Sequence, residues 1–269
     1  MRKYLFAFLV AMSFIGTAGA DALDDGRAAY LRGDYATALR LLEPAADEGN
    51  AVAQFYLGYM YRSGQGVSQS YYAARTWYRR AAEQGLAAAQ NNLGTMYRDG
   101  QGVWPDYAEA RRWYGKAAVQ GLAEAQCNLG TLYASGQGVP QDFAQAAMWY
   151  RGAASQGDVE AQYRLGNMYA EGSGVPQDYA EAARWYRNAA EHGVATAQGP
   201  LGLMYAKGQG VPQDFVQAHK WSNLAVARFS ASDAVGREAA IKLRSQIEYR
   251  MTPAQVAEAQ KLALEWRPR

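Results

Sequence analysis

Along most of this chain, apolar and small residues recur at helical spacing in two blocks separated by a glycine-rich stretch. In one copy Ala89, Leu93, Met96 and Tyr97 share a stripe of a helix predicted over Ala87 to Asp99. A second helix opens at Asp106 and carries Trp113, Tyr114, Ala117 and Ala118 toward the first. Two amphipathic helices joined by a short breaker make a helix hairpin. The hairpin returns every 36 residues, anchored by Gly49, Gly85, Gly121, Gly157 and Gly193, each followed by Ala-Gln, Leu-Gly and a tyrosine. A fixed period of this length marks stacked units that cannot bury their apolar faces singly. The predicted fold class is all-α, an α/α superhelical solenoid of stacked hairpins.

Within one unit the punctuation has physical reasons. Gly58, Gly94, Gly130, Gly166 and Gly202 lie mid-helix, where glycine costs about 1 kcal/mol relative to alanine. A cost repeated in every copy implies that a side chain there would hold the hairpin apart. The first glycine of Gly100-Gln101-Gly102-Val103 suits a left-handed helix end, and the valine is expected to plug the hairpin core. Asp106, Asp142, Asp178 and Asp214, each with Glu or Gln three residues on, read as reciprocal capping boxes. Trp and Tyr rings should interlock with the small alanines of adjacent units. The last copy departs from this pattern. Ser222 replaces the tyrosine, and Pro200 falls inside the first helix, where a kink or early break is expected.

The joined pattern Ala-x-Ala-Gln-x-x-Leu-Gly-x-Met-Tyr, Gly-x-Gly-Val-Pro-Gln-Asp-Tyr and Ala-x-x-Trp-Tyr-x-x-Ala-Ala-x-x-Gly resembles the Sel-1-like repeat family, relatives of the tetratricopeptide repeats. The resemblance implies a right-handed superhelix used as a protein-binding scaffold in signalling, secretion or envelope assembly. It covers five repeats over residues 49–228, with 21–48 as a shortened leading hairpin in which Gly33-Asp34 replaces the long loop. Residues 229–269 read as two capping helices, Ser232 to Tyr249 and Pro253 to Trp266, with Phe229 to Ala231 as the turn before them. Exported cysteine-rich relatives are associated with β-lactam hydrolysis. This chain lacks their cysteines, so that activity stays a remote alternative.

Residues 1–20 differ from the rest: Arg2 and Lys3, an apolar run from Leu5 to Ile15, then Ala18-Gly19-Ala20. This reads as a signal peptide, so the mature chain is expected outside the cytoplasm, in the periplasm or the medium. Nothing later is long and apolar enough to span a membrane. Without Arg2 and Lys3 the basic and acidic residues balance at 25 each, giving no reason to expect nucleic acid as partner. Cys127 is the only cysteine and reads as a small apolar residue.

Candidate chemistry is sparse. His192 and His219 are the only histidines, without metal-ligand spacing. No nucleophile and base pair is visible, so neither catalysis nor a cofactor or metal is expected. Alignment with tetratricopeptide repeats places a candidate inner wall on the first helices. Its first copy offers Val52, Phe55, Tyr59 and Arg62, and its second Asn91, Thr95 and Arg98. The third adds Glu124, Cys127 and Thr131, and the fourth Glu160, Tyr163, Asn167 and Glu171. Trp104 replaces a loop proline and either anchors a partner or folds back on its own hairpin. The expectation is a monomeric adaptor for a protein or peptide, with these residues as contacts. The alternatives are tolerated surface variation and a self-associating envelope protein.

Overall fold

The computed structural model describes residues 22–230 and 233–269. The expected leader lies outside them, as do Ala231, the last residue of the expected turn, and Ser232, the first of the expected cap. Among the described residues every regular element is a helix. The first is α1 (22–31), followed by α2 (Tyr35–Asp47), α3 (Ala51–Ser63), α4 (Tyr71–Glu83), α5 (Ala87–Asp99), α6 (Tyr107–Val119) and α7 (Ala123–Ser135). Then come α8 (Phe143–Ser155), α9 (Val159–Glu171), α10 (Tyr179–Glu191), α11 (Ala195–Lys207), α12 (Phe215–Arg228), α13 (Ala234–Glu248) and α14 (Pro253–Glu265). None of them is long and apolar enough to cross a membrane. The chain forms two compact units that meet in sequence between Ala125 and Gln126, inside α7.

In the first unit α3 pairs with α4 and α5 with α6, while α4 also packs on α5. The mid-helix glycines explain how close the pairs sit. A Cβ at Gly94 would lie 2.8 Å from the Tyr114 ring, and one at Gly58 would lie 2.6 Å from Tyr78. The tyrosines are fully buried in that space, so the helical cost of glycine is offset by aromatic burial. Helix α5 ends at Gly100 with φ 69°, its N–H returning to the Met96 carbonyl. Leading helix α2 is capped by Asp34, which accepts from Thr37 N–H, and Val67 packs on the core of this first hairpin. In the first repeat Ser70 takes the aspartate's capping place, accepting from Ala73 N–H.

The second unit repeats the scheme. Gly130 faces Tyr150 and Gly166 faces Tyr186. Asp142, Asp178 and Asp214 each accept the third amide of the helix they open, worth about 1 kcal/mol per cap. The expected return arm differs. In the first unit Glu109 accepts instead from Trp113 Nε1 and Arg112, and in the second Glu181 accepts from Arg184. At these exposed positions the carboxylate bonds an arginine of its own helix in place of the cap amide. The reciprocal box forms at Thr252 and Gln255, at the start of α14.

Pro200 does not end α11, which runs its full length around it. The proline is the sixth residue of the helix, and the Thr196 carbonyl one turn back loses its donor. The closing helices start and stop within two residues of expectation, and both pack on α12. On one side His219, buried in α12, meets Glu248 of α13 at 2.7 Å, and Arg244 reaches Asn223. On the other, Trp266 after α14 sits edge-on to Trp221, and Arg269 pairs with Glu191 at 2.8 Å.

Candidate functional site

The candidate inner-wall residues divide into those that hold the repeats and those that face solvent. Thr95 and Asn167 stand one residue after the mid-helix glycine, so they meet the tyrosine that fills the glycine's space. Tyr114 Oη lies 3.0 Å from Thr95 Oγ1, and Tyr186 donates to Asn167 Oδ1 at 2.6 Å. Thr131 accepts from Tyr150 in the same way. Burial pushes the phenol pKa of Tyr114 and Tyr150 upward, which keeps both hydroxyls protonated. These candidates brace their own hairpins. Asn91 is 1% exposed, so it is corrected from contact residue to core. Cys127 is buried too, and desolvation pushes its thiol pKa well up, which suits the apolar reading.

Others are partly engaged. Val52 lies beside the Asn50 cap, which accepts its N–H, and Phe55 packs its ring on Tyr56 and Tyr78. Arg62 donates to Gln101, Arg98 pairs with Asp99, and Glu160 pairs with Arg164. Tyr163 leans on Tyr186. Tyr59 keeps 40% of its surface exposed while its ring meets Tyr30 edge-on. Glu124 and Glu171 are exposed. Trp104 is 89% exposed, so the fold-back alternative fails. Its neighbour Pro105 takes the place of the glutamine that, in other copies, donates back to the end of the preceding helix, as Gln141 does to Ala134.

Two features escaped the sequence reading. The first is a glutamine relay. Buried Gln54 and Gln90 donate to the carbonyls of Ala46 and Ala82 at the end of the preceding helix, and they accept from Gln84 and Gln120 at 2.8 Å. In the second unit Gln156 donates to Gln126. His192 interrupts the relay and leaves the Gln162 Oε1 buried without a partner. The Ala-Gln repetition was visible, but its bonding was not.

The second feature is a groove between α11 and α13, both in the second unit. One wall is the stripe Thr196, Gly199, Pro200 and Leu203, and the other is Gly236, Ala239, Leu243 and Gln246. The cavity holds about 540 Å³ and adjoins another of about 700 Å³ reaching Phe215 and Arg250, the two sharing Leu203 and Leu243. Its signal was present in the departures of the fifth copy. Gly199 stands where Phe55 and Tyr163 stand elsewhere, and Leu203 stands where the polar Thr95 stands. Among the described residues no cluster of histidine, cysteine and acidic side chains is arranged to hold a metal ion.

The Sel1 repeat model matches residues 10–50, 51–86, 87–122, 123–158, 159–194 and 196–228, so the shortened leading hairpin counts as a repeat. A Sel1 repeat protein from Oxalobacter formigenes is 33% identical, over 90% of this chain and 96% of its own, with a TM-score of 0.76. A protective antigen of uropathogenic Escherichia coli displaying an SLR fold, c5321, is 28% identical over 92% of this chain and 68% of its own, with a TM-score of 0.43. No curated protein matches. The chain belongs to the Sel1 repeat family, whose helical solenoids are generally protein-interaction scaffolds and typically not enzymes.

Proposed function

We propose that the protein is an exported adaptor that binds a protein or peptide partner through the first-helix faces of its repeats and carries out no catalysis. One observation carries this reading. The positions shared by all copies are engaged in packing, as Gly94 with Tyr114 and Gln90 with Gln120 are, while the positions that differ between copies include the exposed Tyr59, Trp104, Glu124, Glu160 and Glu171. Variation imposed on a fixed frame is how a repeat scaffold acquires a particular partner. Exposed aromatics supply anchors and charges supply selectivity.

The test is photo-crosslinking in the native envelope from Tyr59 or Tyr163, compared with Arg111, exposed on α6. One protein captured from the first two sites and not from the third supports the adaptor. Equal, diffuse capture from all three favours the self-associating alternative. Export is checked on the purified protein by N-terminal sequencing, with Asp21 expected as the first residue. Retention of Met1 would overturn the signal-peptide assignment.

A further inference from the structure

We propose that the groove between α11 and α13 receives an amphipathic helical peptide whose apolar face enters the trough and whose acidic residues face Lys207, Lys242 and Arg250. The proposal rests on the scaffold reading and gives it a site and a partner chemistry. The walls are two helix stripes spaced three and four residues apart, the form that accepts an apolar helix face. From Thr196 to Lys207 the wall rises about 16 Å, enough for about three turns of a bound helix. The floor is apolar because the fifth copy gives up its polar and bulky residues. Leu203 is 37% exposed, and a Cβ built on Gly199 meets nothing within 4 Å outside its own stretch of helix. That emptiness is specific to this copy, since Phe55 and Tyr163 fill the same repeat position elsewhere.

The charge at one end sets the partner's polarity. Lys207, Lys242 and Arg250 line the wider cavity with no acidic residue among its lining. They take part in none of the ion pairs found among the described residues, and Glu248 nearby is committed to His219 and Arg244. Asp233, at the opposite end, is occupied in capping α13. Three uncompensated cations beside an apolar floor select an acidic, amphipathic segment over a neutral or basic one.

The test selects peptides from a random display library on the full chain and measures their binding by fluorescence anisotropy. The expected ligands place glutamate or aspartate beside leucine or phenylalanine at helical spacing. Gly199→Leu fills the trough and should weaken them at least about tenfold. Because Pro200 follows and its ring crowds any Cβ at 199, Gly199→Ala, which adds that Cβ without filling the trough, is the control and should keep its ligands. Lys242→Glu with Arg250→Glu should also weaken them about tenfold, an effect that salt reduces. Ligands indifferent to Gly199→Leu but lost with Tyr59→Ala would overturn the groove and leave the scaffold reading standing. Ligands without acidic residues, or a self-association abolished by Gly199→Leu, would overturn the proposed partner. Failure to select any peptide, together with an absence of crosslinked partner, would overturn both readings.

Discussion

The second hairpin, α5 with α6, and the fifth, α11 with α12, use one frame to different ends. In the second, Tyr114 fills the space over Gly94 and its hydroxyl reaches Thr95, while Gln90 is bonded on both sides. In the fifth, Ser222 lies over Gly202 and its hydroxyl turns back to the Ala218 carbonyl, while Gln198 keeps a buried oxygen without a partner. Leu203 takes the place of Thr95 and looks into the groove. The frame survives loss of its central ring because α13 and α14 both pack on α12. The lesson is that the shared glycine is kept even where the tyrosine is gone. A Cβ at Gly202 would still sit 2.8 Å from Ser222 Oγ and 3.0 Å from the Ala218 carbonyl, so the close approach of the two helices outlasts the ring.

The largest effect that separates the two hairpins is removal of what lies over the glycine. Tyr114→Ala opens a cavity in a fully buried site and should cost about 3–5 kcal/mol, the range for aromatic truncation in cores. Ser222→Ala deletes a hydroxyl bonded within its own helix and should cost no more than about 1 kcal/mol. Both are read by denaturant unfolding, with hydrogen exchange to localise the loss, since repeat arrays do not always unfold as one step. Equal losses would mean that the fifth hairpin is as dependent on its own contacts as the second.

The next comparison sets two helical glycines against each other. Gly94→Ala must displace the Tyr114 ring and should destabilise by about 1–3 kcal/mol. Gly199→Ala meets no neighbouring element, and its helix-propensity gain of up to about 1 kcal/mol is opposed by the Pro200 ring that follows, so its effect should be smaller than that at Gly94. Thermal melting gives a clearly larger loss at Gly94 if the groove is open and comparable losses if it is closed.

How much of this was legible follows from what each feature depends on. The hairpins were readable because caps, breakers and apolar stripes are local: Asp106 and Gly100 act on residues within one turn. The tight packing at Gly94 was inferable because a propensity cost repeated in register needs a common cause. The wall assignment could go no further than a face, because periodicity says which face a residue occupies and not what it meets there. Thr95 and Asn91 share a helix with Arg98, yet one bonds a tyrosine and one is buried. Trp104 was undecided because a loop side chain is placed by neighbours distant in sequence. The groove was hidden because it forms against α13, outside the repeat, so no alignment of copies could reveal the second wall.

A smaller effect tests the relay. His192→Gln would place an amide where Gln84 and Gln120 donate to their partners at 2.8 Å. It would supply the Gln162 oxygen with the donor it lacks. The gain expected is about 1 kcal/mol, typical of a hydrogen bond made to a buried acceptor. The imidazole's own contact to the Asn188 carbonyl is one that the glutamines also make, as Gln156 does with Gly152, so little is lost in exchange. A neutral result would mean that water already serves that oxygen.

Cys127 gives the smallest and most local effect. The side chain occupies the repeat position of Gly199, but it is buried where Gly199 faces open space. Desolvation is the main cause of its raised thiol pKa, with Asp158 and Glu160 adding to it and Arg164 opposing. The native state therefore favours the protonated thiol. Its contribution to stability is intact below the ordinary thiol value of about 8.5 and declines as pH rises above it. At pH 8 the folded protein should resist iodoacetamide, whereas the chain in denaturant should react at the rate of a free thiol. Introducing a cysteine at Gly199 supplies the contrast. The same repeat position on an open wall should be alkylated without unfolding, and equal protection of both thiols would show that the groove is closed to solvent.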